Sequence, residues 1–171
     1  QEIAEKKPKR LVELEEDSTD CIVFNSPSCM TYYDGKLWVA THTILFRSVM
    51  KAYRYDVEAE KLEVVEEYEI PDKVQGIAFD EMGHVYFSTS YGRSHSSYIK
   101  VYESLKALEK RPDKPAECVE TPPCSEEIAV MDNVLLVLFE SAAQKYMEGT
   151  DGNGKGHSPL DHPIAIGLDS F

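Results

Sequence analysis

Positive charge is scarce in this sequence: 18 lysines and arginines face 31 aspartates and glutamates, for a net charge of −13. A nucleic-acid partner needs a basic face to meet its phosphates, so DNA and RNA are excluded as main partners. The one basic cluster, "KKPKR" (Lys6–Arg10), stands beside the acidic "ELEED" and reads as a solvated flank rather than a localisation or polyanion-binding patch. Long apolar runs are missing too. No stretch approaches the roughly 18 residues a membrane-spanning helix requires. The first residues hold no apolar signal core, so a secretion signal is expected to have been removed or never to have existed.

Cysteine is limited to Cys21, Cys29, Cys118 and Cys124. Neither local pair has CxxC spacing and no histidine sits nearby in sequence, which argues against a zinc site. Disulfides and buried free thiols both stay open. The GxSxG nucleophile elbow, the Walker loop and HExxH are all absent, so the common signatures of serine hydrolases, nucleotide binding and zinc proteolysis are not available.

What is present is a repeat. "SCMTYYDGKLWVATH" (28–42), "QGIAFDEMGHVYFSTS" (75–90) and "EEIAVMDNVLLVLFE" (126–140) each read as a strand, a tight turn and a second strand. The turns fall at Gly35, Gly83 and Asn133, residues suited to a backbone with φ > 0. Gly83 lies 48 residues after Gly35, and Asn133 lies 50 after Gly83. "KAYRYDVE" (51–58) and "SYIKVYES" (97–104) supply third strands, and "KLEVVEEYEI" (61–70) and "AECVET" (116–121) supply charged outer strands. A period in the forties with four strands per unit predicts an all-β chain of β-propeller blades, about three of them in residues 20–171. Residues 1–19 are then a charged flank or the outer strand of a preceding blade. The third unit ends with "PIAIGLDSF" (163–171) and lacks a fourth strand, for which "RLVELEED" or "DCIVF" is a spare. Closed propellers have four to eight blades, so the chain is expected to be part of a larger ring of six or seven, or to close one with a second copy.

On these residues the chain resembles known families. "GIAFDEMGHVYFSTSYGR" is similar to the blades of NHL-type and SMP-30/gluconolactonase-type propellers. "STSYGRSHSSYIKVY" followed by "EEIAVMDNVLLVLFESAAQKY" resembles secreted bacterial propeller proteins of unassigned function, over residues 25–171. The resemblance implies a secreted or extracellular protein and a longer N-terminal part. It implies a fold rather than a chemistry, because such propellers include lactonases, lyases and binding scaffolds.

Register nominates a site. Seven residues past each turn stand His42, Ser90 and Glu140, and the first strands begin with Ser28, Gln75 and the pair Glu126/Glu127. These polar groups are expected around the mouth of a central channel. The following loops add Tyr91 and Arg93, suited to a carboxylate, phosphate or sugar, and Lys145 with Tyr146. Ser94, Ser96 and Ser97 read as ordinary loop hydroxyls. Glu140 with Glu127 or Glu126 could collect a divalent cation such as Ca²⁺, as the resemblance to SMP-30-like lactonases implies. An ion pair of these glutamates with Arg93 or Lys145 is the competing arrangement. "GTDGNGKGHSPLDHP" (149–163) echoes the start of an EF-hand loop, but Lys155 and His162 occupy ligand positions, so it reads as a glycine-rich flap. The expected function is a non-catalytic module binding a small molecule, glycan or protein at the channel mouth. The alternative is a metal-dependent lactonase or hydrolase using channel carboxylates.

Overall fold

A computed structural model of the chain describes residues 26–44, 47–59, 61–156 and 159–171. The expected N-terminal flank, the spare outer strand and Cys21 lie outside these residues.

The described chain is all-β, built as three antiparallel sheets in succession. The first holds β1 (Pro27–Tyr33), β2 (Lys36–Thr41), β3 (Ser48–Asp56) and β4 (Lys61–Ile70), paired in chain order. The second holds β5 (Val74–Phe79), β6 (Val85–Thr89), β7 (Ser97–Tyr102) and β8 (Glu117–Thr121) in the same order. The third has β9 (Ser125–Met131), β10 (Val134–Phe139) and β11 (Ile164–Gly167). Each sheet follows the chain because consecutive strands pair antiparallel, whether joined by a tight turn or, as between β7 and β8 and between β10 and β11, by a longer loop.

The middle sheet is buried on both faces, as its apolar run "VYF" predicts. Alternation along its strands sends Ile77, Phe79, Val85 and Phe87 into a core shared with the first sheet, where Trp38, Met50 and Ala52 meet them. Ala78, Tyr86, Ile99 and Val101 point the other way, into a second core with Ile128, Leu135, Val137 and Phe139. Trp38 is fully buried, and its indole N–H donates to the Tyr33 carbonyl at 3.1 Å. Stacking of Tyr33 on Phe79, with centroids 4.4 Å apart, ties the first hairpin to the second sheet. No helix among the described residues is long and apolar enough to cross a membrane.

Two features differ from the sequence expectation. The stretches between strands contain short helices, α1 (Leu105–Lys110) and α2 (Gln144–Glu148), where only loops were expected. The Ser104 hydroxyl caps α1 by accepting from Ala107 N, and Leu108 reaches the first core. Hydrophobic spacing cannot reveal helices of one or two turns. The third hairpin turn also places its positive φ at Asp132 (+53°) rather than at Asn133, whereas Gly35 (+72°) and Gly83 (+86°) behave as expected. Aspartate tolerates this region almost as asparagine does, through its short polar side chain.

The first strands of successive sheets lie side by side, β1 against β5 and β5 against β9. At Gly76 the approach is closest. A Cβ there would sit 2.6 Å from the Glu126 carbonyl oxygen and 2.8 Å from the Ile128 nitrogen, both fixed backbone atoms. Overpacking of this kind costs about 1–3 kcal/mol. Gly76→Ala is therefore expected to lose stability in that range by urea denaturation. A change within about 0.5 kcal/mol would show that the two strands separate freely.

Candidate functional site

One local device recurs at the start of every sheet. Ser26, Lys73 and Cys124, each just before a first strand, all adopt left-handed backbone, with φ of +63°, +65° and +66°. None is glycine, so each conformation is held by its surroundings. The surroundings are the same each time. The residue at the far end of the hairpin donates its N–H back to the left-handed residue's carbonyl: His42 to Ser26 at 3.0 Å, Ser90 to Lys73 at 3.0 Å, Glu140 to Cys124 at 3.1 Å.

A β-bulge follows in each case. Pairing skips Ser28 between Pro27 and Cys29, Gln75 between Val74 and Gly76, and Glu126 with Glu127 between Ser125 and Ile128. A bulged residue leaves the ladder and re-aims its side chain. Here the re-aimed side chains meet. The Ser28 hydroxyl donates to Gln75 Oε1 at 2.8 Å, and Gln75 Nε2 donates to Glu126 Oε1 at 3.2 Å. The Glu140 carboxyl is close enough to Glu126 to raise its pKa. The Tyr146 hydroxyl donates to Glu140 Oε1. This relay crosses all three sheets.

The relay borders a pocket of about 560 Å³, lined by His42, Gln75, Ser90, Tyr91, Arg93, Glu126, Glu140 and Tyr146. All eight carry the register or loop positions picked out above. The other three expected residues sit differently. Ser28 lies outside the lining and reaches it only through its hydrogen bond to Gln75. Glu127 is absent from the lining, and its carboxylate accepts from its neighbour's backbone N–H, at Ile128, at 3.1 Å. Lys145 stands outside, about half exposed, with its ammonium 3.9 Å from Glu140 Oε2 and 4.5 Å from the centre of the Tyr146 ring. Arg93 pairs with neither glutamate. Its guanidinium bonds Asp151 and the Gly154 carbonyl and lies 4.1 Å above the Tyr146 ring.

Cys124, His95, Asp151 and Asn153 also line the pocket and were not expected there. The glycine-rich stretch holding Asp151 and Asn153 carried a flap signal but gave no contact. Burial, with Glu140 and Glu126 nearby, pushes the Cys124 thiol pKa up, so it stays protonated and poorly nucleophilic. Cys29, Cys118 and Cys124 are free thiols. Ser90 and Ser97 form a buried staple, with hydroxyls 2.9 Å apart and Ser97 accepting from Ser125 N at 3.2 Å.

Burial, followed by the hydrogen bond and charge of Glu140, pushes the Glu126 carboxyl up to about 8, against the pull of Lys145. The shift favours a protonated Glu126, which can donate as well as accept in the pocket. Asp151 is held down at about 2, chiefly by Arg93. A divalent cation would need further converging donors. Among the described residues no group of three or more His, Cys, Asp or Glu side chains could hold one, and Glu127 points its carboxylate at backbone N–H groups. The residues present do not fit the cation that Glu140 with Glu127 suggested.

At the turn end of the second and third sheets, a second pocket of about 520 Å³ is lined by Asp80, His84, Tyr86 and Phe171 among others. Asp80 is committed there to the turn, accepting from Met82 N, His84 N and the Tyr86 hydroxyl at 2.9 Å each.

No family model and no curated protein matches this chain.

The Glu126 shift makes stability depend on pH. A carboxyl whose folded pKa is raised contributes stability fully below its unfolded pKa, and loses it as pH climbs through the folded value. The denaturation midpoint should fall between pH 5 and about 8, and Glu126→Gln should flatten that fall. An unchanged slope in the variant would place the titrating group elsewhere.

Proposed function

We propose that this chain is a section of a β-propeller, and that its strand-start end is a non-catalytic binding pocket for a small polar molecule. Three features support the propeller reading. Sheet follows sheet in chain order, the left-handed residue and bulge recur in all three, and first strand packs beside first strand. The outer faces of the array add a fourth. Met30 and Tyr32 on the first sheet are 61% and 74% exposed, and Met131 and Leu138 on the third are 58% and 51% exposed. Apolar faces of this size at both ends suit further sheets packed against them.

The binding reading rests on one observation: the bulged residues Gln75 and Glu126 and the hairpin-end residues His42, Ser90 and Glu140 border one pocket. Bulges cost ladder hydrogen bonds, so three that aim polar groups at a common point are a designed feature. The lining mixes carboxyl, amide, imidazole, hydroxyl and aromatic groups, which suits hydrogen-bonded recognition of a small polar ligand. A protein or glycan could present the same chemistry through one residue or sugar. A metal-free carboxyl pair could also move protons, and this keeps hydrolysis as the second reading.

Backbone NMR of the full chain against a set of polar fragments tests the proposal. Shifts should concentrate on 42, 75, 90–95, 126, 140 and 146, and Gln75→Ala should weaken them severalfold. Shifts scattered away from these positions would sink the binding reading. Turnover of a lactone that Glu140→Gln abolishes would establish the second one. Light scattering on a sizing column tests the ring. A mass near twice 19.4 kDa is expected if two copies complete it, and a monomer would assign the exposed faces to further sheets of a longer chain.

A further inference from the structure

Arg93 is the unusual group of the pocket. Its side chain is only 10% exposed, and its guanidinium sits over Tyr146, 4.1 Å from the ring centre. Two half-buried glutamates line the same pocket, yet its charge is matched by Asp151. Asp151 belongs to a strap, residues 149–156, that bends at Gly149, Gly152 and Gly154 with φ of +68°, +81° and +82°. The strap is tied down by Arg93, through Asp151 and the Gly154 carbonyl, and by Gly156 N donating to the Tyr146 carbonyl at 2.9 Å. Within it, Asp151 also accepts from Asn153 N at 3.2 Å. A carboxylate on a glycine-hinged segment therefore occupies the polar edge of this guanidinium at the rim of a cavity.

Building on the pocket reading above, we infer that the ligand carries a carboxylate that takes the place of Asp151 on Arg93, with the strap opening as the two exchange. The chemistry supports exchange over simple addition. A guanidinium fork matches a carboxylate edge to edge, and one this little exposed is better paired than bare. A ligand carboxylate restores the charge balance that Asp151 provides, while a neutral ligand would not. A dianion such as phosphate would add a second negative charge beside Glu126 and Glu140. The proton held by that pair can donate to the second half of the ligand. Ion pairs with exposed partners are weak, so the closed strap lowers ligand affinity only severalfold.

The full chain with benzoate, and benzamide as its neutral isostere, gives the test, read by NMR titration at pH 7. Benzoate should shift amides in 91–95 and 149–156. Asp151→Asn removes the internal competitor and should bind benzoate about two- to fivefold tighter. Arg93→Gln should lose the interaction, and Arg93→Lys, which keeps the charge but not the fork, should weaken it. Benzamide should respond to none of these changes. The inference is overturned if Asp151→Asn binds benzoate no tighter than the parent, or if benzoate fails to bind that variant at all. Benzamide binding in the pocket as well as benzoate would also overturn it, and would leave the pocket reading standing. Shifts outside the pocket for both probes would remove both.

Discussion

The contact between β5 and β9 at Gly76 governs much else in this protein. Two backbones approach there within the space of a missing Cβ. That approach sets the bulged Gln75 beside Glu126 and Glu127, whose bulge lies on the neighbouring strand. Without it the relay from Ser28 to Tyr146 would be cut at its middle step. Packing and site are one problem here: the residue that lets two sheets close also decides which polar groups meet.

The electrostatics follow from the same closeness. Bringing Glu126 against Glu140 under partial burial makes two negative charges unaffordable, so the pair retains a proton. Lys145 and Tyr146, delivered by a short helix, temper the charge from one side. Arg93 is kept for the strap. The pocket thus brings together a carboxyl pair and an arginine held by the strap.

Much of the architecture was legible in the chain. Turn residues at Gly35 and Gly83, alternating aromatics and doubly apolar strands gave the sheets and their order, while some limits moved: β3 begins at Ser48 and β11 ends at Gly167, where Leu168–Ser170 turn into a 3-10 helix. Those signals are local: a turn needs φ > 0, and a buried strand needs apolar residues on both faces. Short helices escaped because one turn leaves no periodicity. The left-handed Ser26, Lys73 and Cys124 escaped because nothing in a serine, lysine or cysteine announces that conformation. It is imposed by the hairpin-end N–H that bonds each carbonyl.

The candidate site divides along the same line. Strand periodicity and equal offsets from the turns were enough to group His42, Gln75, Ser90, Glu126 and Glu140 at one end, because antiparallel register converts sequence distance into height along a sheet. Which of Glu126 and Glu127 enters the pocket could not be read this way. A bulge breaks the two-residue alternation, and its geometry depends on the neighbouring strand. The pairing of Arg93 with Asp151, 58 residues apart, was equally hidden, since long side chains choose partners by three-dimensional proximity. The sequence by itself determined which residues stand at the strand ends. Only the tertiary structure decided which of them touch, because contact depends on how closely separate sheets can approach.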